Sequence, residues 1–245
     1  MDIQLALVLL AVGFAAFVKG FVGFGFPLIG VPMLALLVDP RTAVIAVSIP
    51  TLLSNAFVLV RGTVPWTGVR RALPFLLPLV ASAVLGATLL PRLDPRILSV
   101  VIGVVSALFA VLSLVRVKLH LTPARERFAS PAMGILCGVT GGATGIYGPL
   151  VALHLHALGF DKWAFVYVIS FVLLLATLAQ NLTYATLGLY TAEAIGYGLL
   201  ACLPMLVGVE LGMRVHRLAA LPLFNYGVLA VILLSSLNLI VRSLT

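Results

Sequence analysis

Two glycine-rich stretches interrupt the apolar segments of this sequence, and each ends at a proline that opens a short apolar run. The first is GFVGFGFP, from Gly20 to Pro27, and the second is GGATGIYGP, from Gly141 to Pro149. Proline suits the first turn of a helix because the N–H that it lacks would have no partner there. A helix start presents free N–H groups and the positive end of the helix dipole, which favour an anion. The two stretches are therefore candidate halves of one anion-binding site, the alternative being that their glycines serve close helix packing.

Lys19 directly precedes the first glycine-rich stretch. A lysine near the middle of a bilayer costs at least about 2.5 kcal/mol on insertion scales, so such a residue usually faces a cavity or a partner. As a cation it would attract an anionic substrate. A lysine nearer the membrane interface can instead extend its ammonium group to water, and the sequence leaves both interpretations open. The second stretch has Gly141 at the equivalent position, so this charge belongs to one half only.

Three amide side chains lie inside long apolar segments: Asn55, Gln180 and Asn181. Each must find a hydrogen-bond partner, either on another helix or on a substrate. Interhelical bonding is the commoner role of such residues. We include Asn55 and Asn181 among the candidate substrate-binding residues.

Acidic and histidine residues offer few other sites. His154 and His156 lie in the second short helix, but no carboxylate or cysteine stands at metal-ligand spacing, so we predict no metal and no cofactor. Glu210 is one turn from Arg214 and is expected to pair with it. A proton-coupling role for Glu193 or Glu210 is the alternative. The sequence contains no P-loop, GxSxG or HExxH motif, and we predict no enzymatic activity.

Composition places these residues in a membrane protein. Hydrophobic residues make up 62% of the 245 residues and charged residues only 9%, whereas about a quarter of a soluble domain is charged. The net charge of +8 lies in short loops, where Lys and Arg set membrane orientation, and we exclude nucleic acid as a partner. The N-terminal segment lacks a basic region and an A-x-A site, and we expect it to remain in the mature protein. We expect a multi-pass protein of the inner cell membrane.

Ten apolar segments can be delimited along the chain. They are residues 4–22, 26–38, 42–60, 69–90, 96–115, 130–142, 149–158, 163–187, 191–213 and 223–241. Segments 26–38 and 149–158 are too short to cross a bilayer, which needs roughly 20 residues. The predicted fold is an all-α polytopic membrane protein with about 8 to 10 transmembrane or half-membrane helices, broken near the start of each half. Whether 4–38 and 130–158 re-enter or cross the membrane is left open.

An internal repeat relates the two halves. Five residues recur 122 positions later without a gap, namely Gly20, Gly23, Pro27, Asp39 and Ser48 as Gly142, Gly145, Pro149, Asp161 and Ser170. Internal repeats of this kind are common in secondary transporters. We infer two repeats within one membrane domain, residues 1–118 and 119–245.

Loop charges predict that the repeats are inverted. The loop after 42–60 carries Arg61, Arg70 and Arg71 and is expected to be cytoplasmic, whereas the equivalent loop after 163–187 has no Lys or Arg and is expected to be external. Equivalent loops on opposite sides require inverted repeats, with both chain termini external.

The stretches KGFVGFGFPLIGVPML and GVTGGATGIYGPL resemble the signature regions of the sulfite exporter TauE/SafE family, also called the 4-toluene sulfonate uptake permeases. The resemblance covers essentially the whole chain in length, duplicated halves and motif position. It implies transport of sulfur-containing anions such as sulfite, thiosulfate, sulfoacetate or other organosulfonates. The matching positions, which the resemblance implies as substrate-binding, are Gly20, Gly23, Gly25, Pro27, Gly142, Gly145, Gly148 and Pro149.

The function that these features favour is a secondary transporter for a small anion, working by alternating access. An anion channel could use the same site, and an accessory membrane subunit is a further alternative. A membrane-embedded enzyme would need a polar catalytic cluster that the sequence does not supply. The anion, the direction of transport, a coupling proton or ion, and the oligomeric state are left open.

Overall fold

The computed structural model describes residues 3–22, 25–115, 123–218 and 222–244, and these residues are almost entirely helical. The helices are α1 (Ile3–Val22), α2 (Phe26–Ala35), α3 (Pro40–Leu59), α4 (Trp66–Leu89), α5 (Pro95–Val115), α6 (Pro123–Thr144), α7 (Gly148–Ala157), α8 (Lys162–Thr186), α9 (Ala192–Leu218) and α10 (Pro222–Leu244). No strand occurs within these ranges, which confirms the all-α membrane class, and five helices are long and apolar enough to cross a membrane.

The predicted segments correspond one to one with these helices. The largest difference is at α6, which was expected over 130–142 and begins at Pro123. Its first turns carry Arg125, Glu126 and Arg127, so an apolar run could not reveal them. Helices α2 and α7 have ten residues each, about 15 Å at 1.5 Å per residue, which is half of the hydrocarbon core.

Helix bounds recur at the same spacing as the sequence matches. Helix α7 begins 122 residues after α2, α8 begins 122 residues after α3, and α6 ends 122 residues after α1. The aspartates that cap α3 and α8 also correspond. Asp39 Oδ1 accepts hydrogen bonds from the backbone N–H groups of Arg41 and Thr42, and Asp161 Oδ1 accepts from those of Trp163 and Ala164.

Two closely packed helix pairs frame the protein: α1 with α9, and α4 with α6. Glycines allow the approach, since a Cβ added at Gly20 would lie 2.1 Å from the Val209 carbonyl oxygen and one at Gly142 would lie 2.3 Å from the Ala83 carbonyl oxygen. In both pairs the contacting residue numbers rise together, so the paired helices are parallel. Small residues that admit backbone-to-backbone contact are the usual basis of helix association in membranes.

Helices α3 and α8 pack against each other and are the two most buried of the five candidate spans. Helix α3 also contacts α9, and α8 contacts α4, so the two framing pairs lie against this central pair. The short helices α2 and α7 pack on α3 and α8 respectively. The residues with polar side chains inside the protein are therefore carried mainly by α3 and α8.

Ion pairs and hydrogen bonds identify the two ends of the bundle. At one end, which we call the basic end, Arg61 pairs with Glu210 at 3.1 Å and Arg71 pairs with Glu126 at 3.1 Å. At the opposite end, Arg41 donates to the Leu93 carbonyl oxygen. Helix α3 thus runs from the opposite end to the basic end.

The glycine contacts predict a difference between two glycines of α9. In Gly212→Ala, the new methyl carbon would lie 2.2 Å from the Phe17 carbonyl oxygen, so α1 and α9 must separate. We expect a clearly lower detergent melting temperature. A Cβ added at Gly196 would have nothing within 4 Å of it, and Gly196→Ala should be neutral or stabilising by up to about 1 kcal/mol because alanine favours helix. Equal melting temperatures for the two variants would contradict the packing role.

Candidate functional site

Lys19 is buried near the end of α1, with only 2% of its surface exposed. Its ammonium group donates to Ser54 Oγ at 2.8 Å and to Asn55 Oδ1 at 2.6 Å, both on α3. None of the ion pairs among the described residues includes Lys19. The ammonium group does not reach water, which excludes the interfacial alternative, and no carboxylate of the described chain neutralises it.

Asn55 supplies a further donor beside this charge. Its Oδ1 accepts from Lys19, while its Nδ2 is buried and has no hydrogen-bond partner among the described residues. The Ser54 hydroxyl donates to the Thr51 carbonyl oxygen at 2.8 Å, so its own oxygen is free to accept from Lys19. A buried amide N–H₂ without a partner carries a desolvation cost of about 1–3 kcal/mol. A cation and a vacant donor side by side are the chemistry that binds an anion.

The first glycine-rich stretch opens α2. Gly25 is buried, has φ 101° and precedes α2 without a side-chain cap, and Pro27 occupies the first turn. A side chain at Gly25 would be strained by that φ, although nothing lies within 4 Å of a Cβ there. Gly20 contacts Val209, as described above, so a packing role accounts for it. Gly23 lies outside the described residues.

The second stretch opens α7 in the same manner. Gly145 has φ 76°, Gly148 is the first residue of the helix and Pro149 follows, again without a side-chain cap. A Cβ at Gly145 would lie 3.6 Å from Val44 and 3.7 Å from Val31, so this break lies against α3 and α2 of the first half. Four N-terminal N–H groups of any helix lack intrahelical partners, and here no side chain caps them. Gly142 packs against Ala83 of α4.

The carbonyl groups at the end of α6 are held by α8. Gln180 Nε2 donates to the Gly141 and Gly142 carbonyl oxygens at 3.2 and 3.1 Å, and the Tyr184 hydroxyl donates to the Gly142 carbonyl oxygen at 2.9 Å. These bonds satisfy backbone acceptors that the break in the helix exposes. Gln180 therefore has the interhelical role that its position in an apolar helix predicts.

Asn181 lies in a second polar cluster between the halves. Its Oδ1 accepts from the Ser48 hydroxyl at 2.9 Å and from the Tyr190 hydroxyl, while its Nδ2 donates to the Thr177 carbonyl oxygen at 2.6 Å. Ser48 is seven residues from Asn55 on α3, which is about 10 Å along the same face of the helix. Asn55 and Lys19 therefore form one cluster. Asn181 and Ser48 belong to a second cluster, which lies closer to the opposite end.

Tyr147 is a residue that sequence analysis missed. It precedes α7, is 1% exposed, and its hydroxyl has no partner among the described residues. A Cβ at Gly141 would lie 2.1 Å from its ring. Gly141 is the equivalent of Lys19, so the tyrosine ring fills in the second half the space that the lysine takes in the first. In the sequence, the only sign of Tyr147 is its place two residues before Pro149. That position does not show where the side chain points.

Comparison with known proteins gives the family. The family model described as sulfite exporter TauE/SafE matches residues 8–239, nearly the whole chain. The chain belongs to the sulfite exporter TauE/SafE family. Searches of curated proteins and of solved structures found no significant match. Membership in this family implies a multi-pass membrane protein that exports or otherwise transports sulfite or another sulfur-containing anion.

The remaining polar candidates of this TauE/SafE chain lie away from the two clusters. Glu193 is exposed, and Glu210 is bound by Arg214 at 2.9 Å and by Arg61. No group of three or more His, Cys, Asp or Glu residues within the described part of the chain could hold a metal ion. Glu210 thus binds surface arginines rather than an interior site.

A substitution at Asn55 tests whether the charge of Lys19 acts on a ligand. Asn55→Asp would place a carboxylate 2.6 Å from the ammonium group, where Asn55 Oδ1 is now, and would neutralise it. Asn55→Ala would remove the amide but leave the charge. We expect the aspartate variant to bind sulfite or thiosulfate at least about tenfold more weakly than the alanine variant, about 1.4 kcal/mol or more. Calorimetry on folded protein in detergent measures this. Equal affinities would show that the Lys19 charge does not contact the anion.

Proposed function

We propose that this protein is a secondary transporter of a small sulfur-containing anion such as sulfite, thiosulfate or an organosulfonate, which works by alternating access in the inner cell membrane. Family membership supports the sulfur-containing anion. The observation that carries the proposal is the buried ammonium group of Lys19, which has hydrogen-bonding neighbours but no carboxylate partner among the described residues.

The energetics of a buried charge favour a bound anion. An ion removed from water costs several kcal/mol, and only nearby opposite charge or good hydrogen bonds offset that cost. Two neutral acceptors, Ser54 and Asn55, offset part of it. An anion held by Lys19 Nζ and Asn55 Nδ2 would supply the missing negative charge and the missing acceptor together. The same donors would bind a carboxylate, so the sulfur preference rests on the family.

A half-helix adds to this field. We propose that the start of α2, at Gly25 to Pro27, faces the anion with free N–H groups. Each helix start carries roughly half a positive charge. The start of α7 lies farther from Lys19, because Gly145 lies against Val44 of α3, eleven residues and about 16 Å before Asn55.

We also propose that residues 1–118 and 119–245 are inverted repeats. Two observations support this. Helix α2 leads to the opposite end, where Arg242 bonds the Leu36 carbonyl oxygen at 3.5 Å, whereas α7 leads to the basic end, where Arg71 lies over the Phe160 ring at 5.8 Å. The first helix of each half also packs parallel to the fourth helix of the other half, as α1 with α9 and α6 with α4. The basic end would be cytoplasmic.

Alternating access requires a closure on each side of the anion. We propose that Ser48, Asn181 and Tyr190 form the closure between Lys19 and the opposite, external end. These residues join α3, α8 and the segment after α8, which belong to different halves. At the basic end, the Arg61–Glu210 pair joins α3 to α9. In a transporter, the bonds of these two closures break alternately, whereas a channel would not require this alternation.

Transport assays test the function itself. In proteoliposomes, the wild-type protein should show saturable counterflow of ³⁵S-labelled sulfite or thiosulfate and little carboxylate counterflow. Lys19→Ala should lower counterflow at least about tenfold, since charged hydrogen bonds contribute about 1.5–3 kcal/mol each. Lys19→Arg should retain part of it, and Arg70→Ala, which changes an exposed arginine, should behave as wild type. Undiminished counterflow by folded Lys19→Ala protein would contradict the proposal, and current without saturation would favour a channel.

A disulfide tests the external closure. In a background without Cys137 and Cys202, oxidised Ser48→Cys/Asn181→Cys protein should lose transport and regain it on reduction, because α3 and α8 could no longer separate. A matched pair lies between α1 and α9, where a Cβ at Gly13 would be 3.9 Å from Pro204 Cβ, a distance suited to a disulfide. Oxidised Gly13→Cys/Pro204→Cys protein should still transport. Full transport by the first cross-linked protein would show that this contact never opens.

A further inference from the structure

We propose that His154 on α7 binds a proton that moves with the anion. The inference rests on the proposed transport function. Histidine is the side chain whose charge most readily changes near neutral pH. His154 is 2% exposed, and the anion site does not use it.

The imidazole of His154 is held in one orientation by two other helices. Its Nε2 lies 3.1 Å from Ser130 Oγ of α6. Its ring stacks on Phe75 of α4, with centroids 4.4 Å apart and planes inclined by 21°. The Ser130 hydroxyl is therefore the group through which Nε2 can exchange a proton.

Ser130 connects this ring to the basic end. Ser130 lies four residues, about one helical turn, after Glu126 on α6. The partly exposed carboxylate of Glu126 pairs with Arg71. In the step that we propose, the Ser130 hydroxyl gives its proton to His154 Nε2 and takes one from a hydronium ion of the aqueous phase, which becomes water, or from the Glu126 carboxyl group, which becomes a carboxylate. Ser130 ends unchanged, and the imidazole gains one proton and one positive charge.

Other titratable groups on the helices packed against α7 have different surroundings. Helix α2 carries none, and His154 takes part in none of the ion pairs of the described residues. The others on α6, α7 and α8 are the buried Cys137, Tyr184, which bonds the Gly142 carbonyl oxygen, Asp161, which caps α8, Tyr167, which packs on Trp163, and His156, which stacks on Phe165. Exposed arginines complete the set, namely Arg125 and Arg127 on α6 and Arg70 and Arg71 on α4. The side chain of Lys162 lies outside the described residues. Glu126 is therefore the acid through which protons can reach His154 from the basic end.

Charge couples the two ligands. His154 is the seventh of the ten residues of α7, and the helix dipole favours an imidazolium near the C-terminus. The imidazolium and the anion carry opposite charges, which attract each other. The proton and the anion should therefore load together and cross in the same direction. Glu193 and Glu210, the coupling candidates of the sequence, are respectively exposed and bound by arginines.

The test measures proton and anion movement in the same proteoliposomes, with a trapped pH dye and a gradient of thiosulfate or sulfoacetate, neither of which gains a proton near neutral pH. Wild-type protein should acidify the compartment that the anion enters. His154→Gln should lower this proton movement at least tenfold while anion exchange persists. His156→Gln, two residues along the same helix, should retain both. Undiminished proton movement by His154→Gln, or an equal loss in His156→Gln, would overturn the proposal.

A second variant covers the case in which His154→Gln does not fold. Ser130→Ala keeps the imidazole but removes the hydroxyl that delivers the proton, so proton movement should slow severalfold with exchange intact. Full-speed proton movement by Ser130→Ala would contradict the route. Wild-type protein that exchanges the anion without moving protons would overturn this inference and leave the transport function standing. Wild-type protein that exchanges no anion of the panel would overturn both.

Discussion

A single buried ammonium group without a carboxylate partner in the described chain is the constraint on which the proposed anion site depends. Lys19 cannot reach water from the end of α1, so α3 must bring acceptors to it, and Ser54 and Asn55 do so. Neutral acceptors stabilise the ammonium group without cancelling its charge. The remaining positive potential lies beside a vacant amide donor, and in our proposal an anion completes both. A carboxylate partner would have satisfied the lysine and left no charge for the proposed anion.

The closely packed helix pairs make the bundle rigid, whereas we propose that the broken helices take part in recognising the anion. Backbone contact through glycine holds α1 against α9 and α4 against α6, and this contact leaves little room for relative movement. Helices α3 and α8 meet instead through hydrogen-bonded side chains such as Ser48 and Asn181, which can exchange partners. The half-helices α2 and α7 begin inside the bundle, and no side chain caps their backbone donors. In our account, motion occurs at the polar contacts and the framing pairs stay intact.

Sequence analysis predicted the helices and the short pair after the glycine-rich stretches, because apolar length and proline position are local properties. It also predicted the family, and it named Lys19, Asn55 and Asn181 as substrate-binding residues, which stays a prediction. It could not distinguish the glycines that pack helices from those that form the breaks, since spacing does not tell which face of a helix meets a neighbour. Gly20 and Gly142 pack helices, whereas Gly25 and Gly145 take positive φ angles at the breaks. It also missed the contact of Ser54 with Lys19, since nothing local indicates which helix will lie opposite a buried charge.

The location of the bound anion tests the central claim most directly. Selenite is the selenium analogue of sulfite, and its anomalous scattering can be located in crystals of the soaked protein. Our account predicts a peak within hydrogen-bonding distance of Lys19 Nζ and Asn55 Nδ2, next to the start of at least one short helix. A fully occupied selenite peak elsewhere, with Lys19 still bound only to Ser54 and Asn55, would contradict it.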